Sequence, residues 1–247
     1  MEADTEPQPA PALGAVRALV FDVFGTVVDW RGSILAELQA LGRAKGIAAD
    51  WASFTDDWRR GYQPAMQRVR SGTLAWTTID GLHRLILDEL LARYAISSLD
   101  EDEKRHLNRA WHRLAPWPDA VAGLTRLKRR FIIGTLSNGN MALLVNMAKH
   151  AGLPWDVVLS AELARHYKPD PEAYVMVPAL LRLAPHEVMM VAAHAADLVA
   201  AARQGLRTGY VSRPREHGPG APPQPVAEAG FDAIAGDFEH LAQLMGA

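Results

Sequence analysis

An α/β fold built on a doubly wound parallel sheet, with a helical domain inserted after the first strand, is what this chain of 247 residues predicts. Three observations predict it. Apolar runs at 19–21, 131–136 and 188–192 lack period-2 alternation, which marks strands buried on both faces, the habit of parallel sheets. Helical patterns at 121–130, 141–151 and 198–204 separate such strands, and that alternation implies right-handed crossovers. A long stretch after the first strand, residues 33–114, has helical periodicity and no convincing strand.

The first strand ends abruptly: Leu19-Val20-Phe21 runs into Asp22, then Val23-Phe24-Gly25-Thr26. Ligands of open parallel sheets bind beyond the strands' carboxyl ends, so Asp22 stands where a nucleophile is needed. Gly25 permits the tight turn through which a substrate would approach it. An Asp that merely ends a strand or caps the next helix gives the same local pattern.

The pattern changes at Asp29-Trp30. Helices follow at 33–42, with Ile34, Leu38 and Leu41 on one face, at 51–69, at 78–94 and at 102–114. The block closes at Pro116-Trp117-Pro118. The sheet then resumes with a helix at 121–130 and a strand at 131–136 that ends on Ser137-Asn138-Gly139. A helix at 141–151, a short strand at 157–160, a helix at 171–183 and a strand at 188–192 come next. Beyond them lie a helix at 198–204 stopped by Gly205, a strand at 208–212, a Pro/Gly loop at 218–225 and a closing helix at 226–247. The expected domains are therefore 15–29 with 118–247 as the α/β core and 30–117 as a helical cap. Residues 1–14, rich in Pro and Ala and without a basic region, are expected as a disordered tail rather than a signal peptide.

Composition narrows the function. The 26 basic and 28 acidic residues give a net charge of -2 with no basic stripe, which argues against nucleic acid or an anionic membrane as partner. No cysteine is present, so disulfides, thiolate metal sites and thiol catalysis are excluded. No apolar segment approaches the ~20 residues that span a bilayer, and the cytoplasm is the expected location.

Reactive groups fall at successive strand ends: Asp22 with Thr26, Ser137 with Asn138, Lys168, and Asp197. In a parallel sheet these ends share one edge, so the groups are expected to converge. Phosphoryl-transferring hydrolases with an Asp nucleophile commonly carry a second Asp two residues on, as proton donor and magnesium ligand. Here that position is Phe24, which favours a small, partly apolar substrate over a phosphate ester.

These residues carry a resemblance. Phe21-Asp22-Val23-Phe24-Gly25-Thr26, Leu136-Ser137-Asn138-Gly139, Tyr167-Lys168-Pro169-Asp170 and Ala193-His194-Ala195-Ala196-Asp197-Leu198 occur in the order of the haloacid dehalogenase superfamily. Within it the chain resembles the L-2-haloacid dehalogenases of type II, from about Val16 onward, and the resemblance implies their Rossmann-like core with an inserted cap. It implies that Asp22 attacks the carbon bearing the halogen, leaving an aspartyl ester that water hydrolyses. Lys168 would neutralise and orient Asp22, Thr26 would position it, and Asp197 would orient the lysine or help activate water, although Asp197 also suits an N-cap at 198. Ser137 and Asn138 would bind the substrate carboxylate, with Asn138 also at the departing halide. Arg59 in the cap would bind halide, with Arg60, Arg68 and Arg70 as rivals. Phe24 and Tyr174 would line the pocket.

The departures matter. Many relatives carry Ser, Asn and Trp where this chain has Ala192, His194 and Ala196. His194 is then either the base that activates water or a packed histidine. Ala196 should widen or reshape the pocket floor. Phe24 and a single Asp197 leave too few oxygens for a hard cation, so no metal and no cofactor are expected. The expected substrates are chloroacetate, L-2-chloropropionate and fluoroacetate, and the resemblance together with apolar cap positions such as Trp76, Leu85 and Leu90 implies a homodimer. A magnesium-dependent phosphatase or phosphonatase of the same superfamily, and a non-catalytic small-molecule binder, are the alternatives.

Overall fold

The computed structural model describes residues 13–220 and 230–247. Residues 1–12 of the expected tail and residues 221–229, which take in most of the expected Pro/Gly loop and the start of the expected closing helix, lie outside the described residues. The last two expected tail positions are ordered: Leu13–Ala15 form a 3-10 turn, and the Val16 N–H donates to the Leu13 carbonyl at 3.1 Å.

Seven strands are described, β1 (Ala18–Phe21), β2 (Val28–Asp29), β3 (Ala115–Pro116), β4 (Ile132–Thr135), β5 (Val188–Ala192), β6 (Arg207–Val211) and β7 (Ala233–Ala235). Five make one parallel sheet in the order β4-β1-β5-β6-β7. Both faces of β1 are covered, which is why its sequence does not alternate. Leu19 and Phe21 join one apolar cluster, whereas Ala18 and Val20 join the other with Met190 and Tyr174. The chain leaves β1 for β4 on one side and returns to β5 on the other. That switch point opens a crevice at the end of β1, where Asp22 lies.

Between β1 and β4 stand α1 (Trp30–Lys45), α2 (Trp51–Arg70), α3 (Ile79–Arg93) and α4 (Glu101–Asn108). They leave and return through β2 and β3, paired antiparallel as Val28 with Pro116 and Asp29 with Ala115. Asp29, Asp50, Thr78 and Asp100 cap the four helix starts by accepting backbone N–H groups. Trp30, Phe54, Trp58 and Trp111 are fully buried, and Phe24 of the core meets Trp111 edge-on at 5.9 Å, so rings tie the block to the sheet. Of the apolar positions named for a dimer face, Leu90 is core, Trp76 stacks on Tyr167 at 4.6 Å, and Leu85 is 39% exposed.

The remaining helices are α5 (Ala120–Lys128), α6 (Met141–Ala151), α7 (Ala161–Ala164), α8 (Pro171–Leu181), α9 (Ala195–Arg203) and α10 (Phe238–Leu244). Three expectations need correction. Residues 157–160 touch the sheet only through isolated bridges, because the Thr135 hydroxyl donates to the Leu159 carbonyl at 2.7 Å and accepts its N–H at 3.0 Å in place of a ladder. The end of the chain is not one helix: β7 precedes α10, its three residues too few and too alanine-rich to signal a strand. Finally, α9 starts at Ala195, with His194 at the N-cap position, so Asp197 sits in the first turn and is not the cap.

Candidate active site

Asp22 emerges from β1, its own N–H donating to the Val191 carbonyl of β5 at 2.9 Å. Its side chain is 11% exposed. Oδ1 accepts from Lys168 Nζ at 3.0 Å, and Oδ2 accepts from the Thr26 hydroxyl at 2.8 Å and from His194 Nδ1 at 3.0 Å. Thr26 is oriented in turn, its oxygen accepting the Ala193 N–H at 2.9 Å. Burial alone would push the Asp22 carboxyl up, but Lys168 and His194 outweigh it and hold the group well below the usual carboxylate range. The strand end therefore presents a buried, ionised oxygen nucleophile.

Lys168 spans two carboxylates. Its ammonium also donates to Asp197 Oδ2 at 2.5 Å, and Tyr174 donates its hydroxyl to Asp197 Oδ1 at 2.5 Å. Burial disfavours the charge on Lys168, yet Asp197 and Asp22 together raise its pKa and keep it an ammonium. Burial and the neighbouring Asp22 charge raise Asp197 despite Lys168, and burial beside Asp197 also raises Tyr174, so its hydroxyl keeps its proton and donates. Asn138 holds the main chain of the same lysine: its Oδ1 accepts the Lys168 N–H at 2.6 Å and its Nδ2 donates to the Lys168 carbonyl at 3.3 Å. Ser137 is fully buried, and its hydroxyl oxygen accepts the Gly139 N–H at 3.1 Å.

His194 lies between two carboxylates. Its Nδ1 faces Asp22, and its Nε2 lies 2.9 and 3.0 Å from the two oxygens of Glu216. Burial opposes a charged ring, but the bonds to Asp22 and Glu216 and their charges raise its pKa to about 10. At neutral pH the ring is an imidazolium donating from both nitrogens. Glu216 is 1% exposed and also accepts from Trp30 Nε1 at 3.2 Å. Gly25 makes room for this carboxylate: at φ 84° it turns the loop, and a Cβ there would lie 2.1 Å from Glu216 Oε1. The glycine thus admits a buried carboxylate, where the sequence suggested only access for a substrate.

A cavity of about 410 Å³ opens in front of Asp22. Lys168, Asp197, Ser137, Asn138 and His194 line its floor with Asp22, together with Tyr174, Pro169 and Ala196. Phe24 and, from α2, Arg59, Tyr62 and Gln63 complete the lining. The Arg59 guanidinium lies 4.6 Å from the Tyr62 ring and 5.5 Å from the Trp30 ring. Its three rivals are engaged elsewhere: Arg60 pairs with Asp57, Arg68 with Glu89, and Arg70 with Asp170 and the Lys168 carbonyl. Behind Phe24 and Tyr62 sits His83, whose ring burial drives down to a pKa of about 3, so that side of the cavity adds no second cation.

Asp22, Thr26, Phe24, Ser137, Asn138, Lys168, Tyr174, His194 and Asp197 thus gather at one sheet edge, and Arg59 of α2 lines the same cavity, whereas Arg60, Arg68 and Arg70 do not. Sequence reasoning missed Glu216, Tyr62 and Gln63. Glu216 had a usable signal, because it follows β6 and the ends of all parallel strands share this edge. Tyr62 and Gln63 had none, since only the packing of α2 over the sheet turns them inward. Among the described residues no three His, Asp and Glu side chains converge as a metal site.

Residues 16–205 match the family model described as haloacid dehalogenase-like hydrolase. The chain belongs to the haloacid dehalogenase-like hydrolases. Among these hydrolases it is 30% identical over 204 residues to the (S)-2-haloacid dehalogenase of Xanthobacter autotrophicus, covering 80% of this chain and 76% of that one. The structure of a defluorinating L-2-haloacid dehalogenase superposes with a TM-score of 0.91 at 45% identity, over 94% of this chain and 96% of the other. The Xanthobacter autotrophicus L-2-haloacid dehalogenase with chloropropionic acid covalently bound gives 0.77 at 25% identity, over 94% and 99%.

Proposed function

We propose that the chain hydrolyses short 2-haloalkanoates to 2-hydroxy acids and halide, through an ester on Asp22 and without a metal or cofactor. The observation that carries this reading is the ionised Asp22 carboxylate, buried and held by Lys168 and Thr26, on a cavity that the Arg59 cation also lines. Chloroacetate, L-2-chloropropionate and fluoroacetate are the substrates proposed, the last supported by the likeness to a defluorinating enzyme.

In the first step an Asp22 oxygen attacks C2, the carbon–halogen bond breaks with its electron pair on the halide, and Arg59 receives the anion. Ser137 donates its hydroxyl proton to the substrate carboxylate, and the Asn138 amide borders the same space while it holds Lys168. The ester removes one of the two negative charges that keep His194 protonated. The ring then releases a proton to solvent and becomes a base, oriented by Glu216 at Nε2. Water attacks the ester carbon, giving one proton to His194 and the other to the departing alkoxide, and the Asp22 carboxylate and the imidazolium are restored. Lys168 needs no metal beside it, because its ammonium already lies between Asp22 and Asp197.

The helices 30–117 serve in this reading as a cap that closes the cavity. A homodimer in the cytoplasm belongs to the same reading, with Leu85 as a contact between copies. Halide release from the three substrates in EDTA, with Asp22→Asn and a phosphate ester beside it, tests the function. EDTA-resistant release that falls about 10³-fold or more in Asp22→Asn is expected. Magnesium-dependent phosphate release with no halide contradicts it.

A further inference from the structure

We propose that Arg70, the last residue of α2, is a positioning residue that sets Lys168 against Asp22 from the helical block. The inference rests on the reading of Lys168 as the partner of a nucleophilic Asp22. Arg70 does not reach the cavity. Its Nη2 donates to the Lys168 carbonyl at 2.8 Å and to the Tyr167 carbonyl at 3.3 Å, while its Nε donates to Asp170 Oδ1 at 3.0 Å. The guanidinium also lies 5.8 Å from the Tyr167 ring. One planar fork thus binds two successive carbonyls and a carboxylate of a single loop, a geometry that a point-charge ammonium does not reproduce.

The loop is clamped from its other sides as well. Tyr167 is 1% exposed, stacks on Trp76 at 4.6 Å and donates its hydroxyl to the Thr77 carbonyl. Across the loop, Asn138 of the core accepts the Lys168 N–H at 2.6 Å. The main chain on both sides of Lys168 is therefore fixed, by the helical block through Arg70 and by the sheet edge through Asn138. From that anchor the side chain spans Asp22 and Asp197 at 3.0 and 2.5 Å. With the guanidinium removed, the Lys168 carbonyl keeps only the longer bond from Asn138, at 3.3 Å, and the loop is free to drift from Asp22. Arg70 is partly exposed, with 21% of its side chain accessible, and ion pairs at such sites add little to stability. Its effect therefore falls on geometry, where about 1 Å of misplacement costs on the order of 10²-fold in rate.

The test compares wild type with Arg70→Ala, Arg70→Lys and Arg68→Ala, the last removing a neighbouring arginine that pairs with Glu89 at 3.8 Å. Expected for Arg70→Ala is a kcat for halide release about 10–100-fold lower, KM within a few-fold, and partial recovery on adding guanidinium chloride at a concentration that leaves wild type unaffected. Arg70→Lys should recover little, and Arg68→Ala should match wild type. An unchanged kcat in Arg70→Ala, or a loss that follows the folded fraction and is not restored by guanidinium, overturns the proposal. A change in KM alone does so too, because it would make Arg70 a substrate ligand. Reductive methylation of Lys168, read by mass spectrometry, reports the same geometry without turnover: Arg70→Ala should be labelled faster than wild type, and equal protection overturns the inference. Absence of halide release from wild type would instead defeat the functional reading and leave the labelling result to judge Arg70.

Discussion

Among single residues, it is His194 that divides the two half-reactions in the proposed mechanism. In the resting site it is a cation between Asp22 and Glu216, with a pKa raised to about 10, and in that form it cannot accept a proton from water. In the proposed mechanism, esterification of Asp22 removes one negative neighbour and lowers that pKa, so the first half-reaction would create the base for the second. His194→Gln and Glu216→Gln should therefore still expel halide once and then stall. Rapid-quench kinetics should give a burst of about one halide per site, and mass spectrometry an enzyme carrying the substrate's carboxyalkyl group as an ester. Full turnover in both variants would remove the imidazole from hydrolysis. The wild-type kcat should rise with pH along a limb below about 10, where the ester form of His194 loses its proton, and His194→Gln should flatten that limb.

At the scale of elements, the loop after β1 shows how far local sequence reaches. Gly25→Ala places a Cβ 2.1 Å from Glu216 Oε1 in a backbone at φ 84°. The variant should lose about 1–3 kcal/mol in denaturant unfolding and should accumulate ester as Glu216→Gln does, because the strain falls on Glu216. The buried strands at β1, β4 and β5 were legible because a sheet covered on both faces demands uninterrupted apolar runs, and Asp22, Lys168 and Asp197 were legible because topology gathers strand ends. Residues 157–160 misled because the apolar run is real but its partner is the Thr135 side chain. β7 was silent because a three-residue Ala-Ile-Ala edge has no pattern to detect. Asn138 was legible as a site residue, but its hold on the Lys168 main chain depends on two loops 30 residues apart meeting in space.

For the whole molecule, the same charge cluster links catalysis to stability. A group whose folded pKa is raised stabilises the fold fully below its unfolded pKa, and that contribution disappears as pH rises through the folded value. For His194 the window runs from 6.5 to about 10. The stability advantage of wild type over His194→Gln should therefore be full at pH 6 and shrink across that window, as urea unfolding at a series of pH values will show; a constant difference would mean that folding does not shift the pKa of the ring. Asp22 has the opposite sign, since its depressed pKa gives a contribution present above 3.8 and lost on acidification. Halves of the chain far apart in sequence supply this cluster, with Trp30 and Gly25 shaping the place that Glu216 fills. The proposed covalent bond to Asp22 is open to one single-turnover experiment in ¹⁸O-water with enzyme in excess over L-2-chloropropionate. Expected are ¹⁸O in the Asp22 peptide and an unlabelled hydroxyl in the product, because water attacks the ester carbonyl and the product keeps the aspartate oxygen; ¹⁸O in the product with Asp22 unlabelled would rule the ester out.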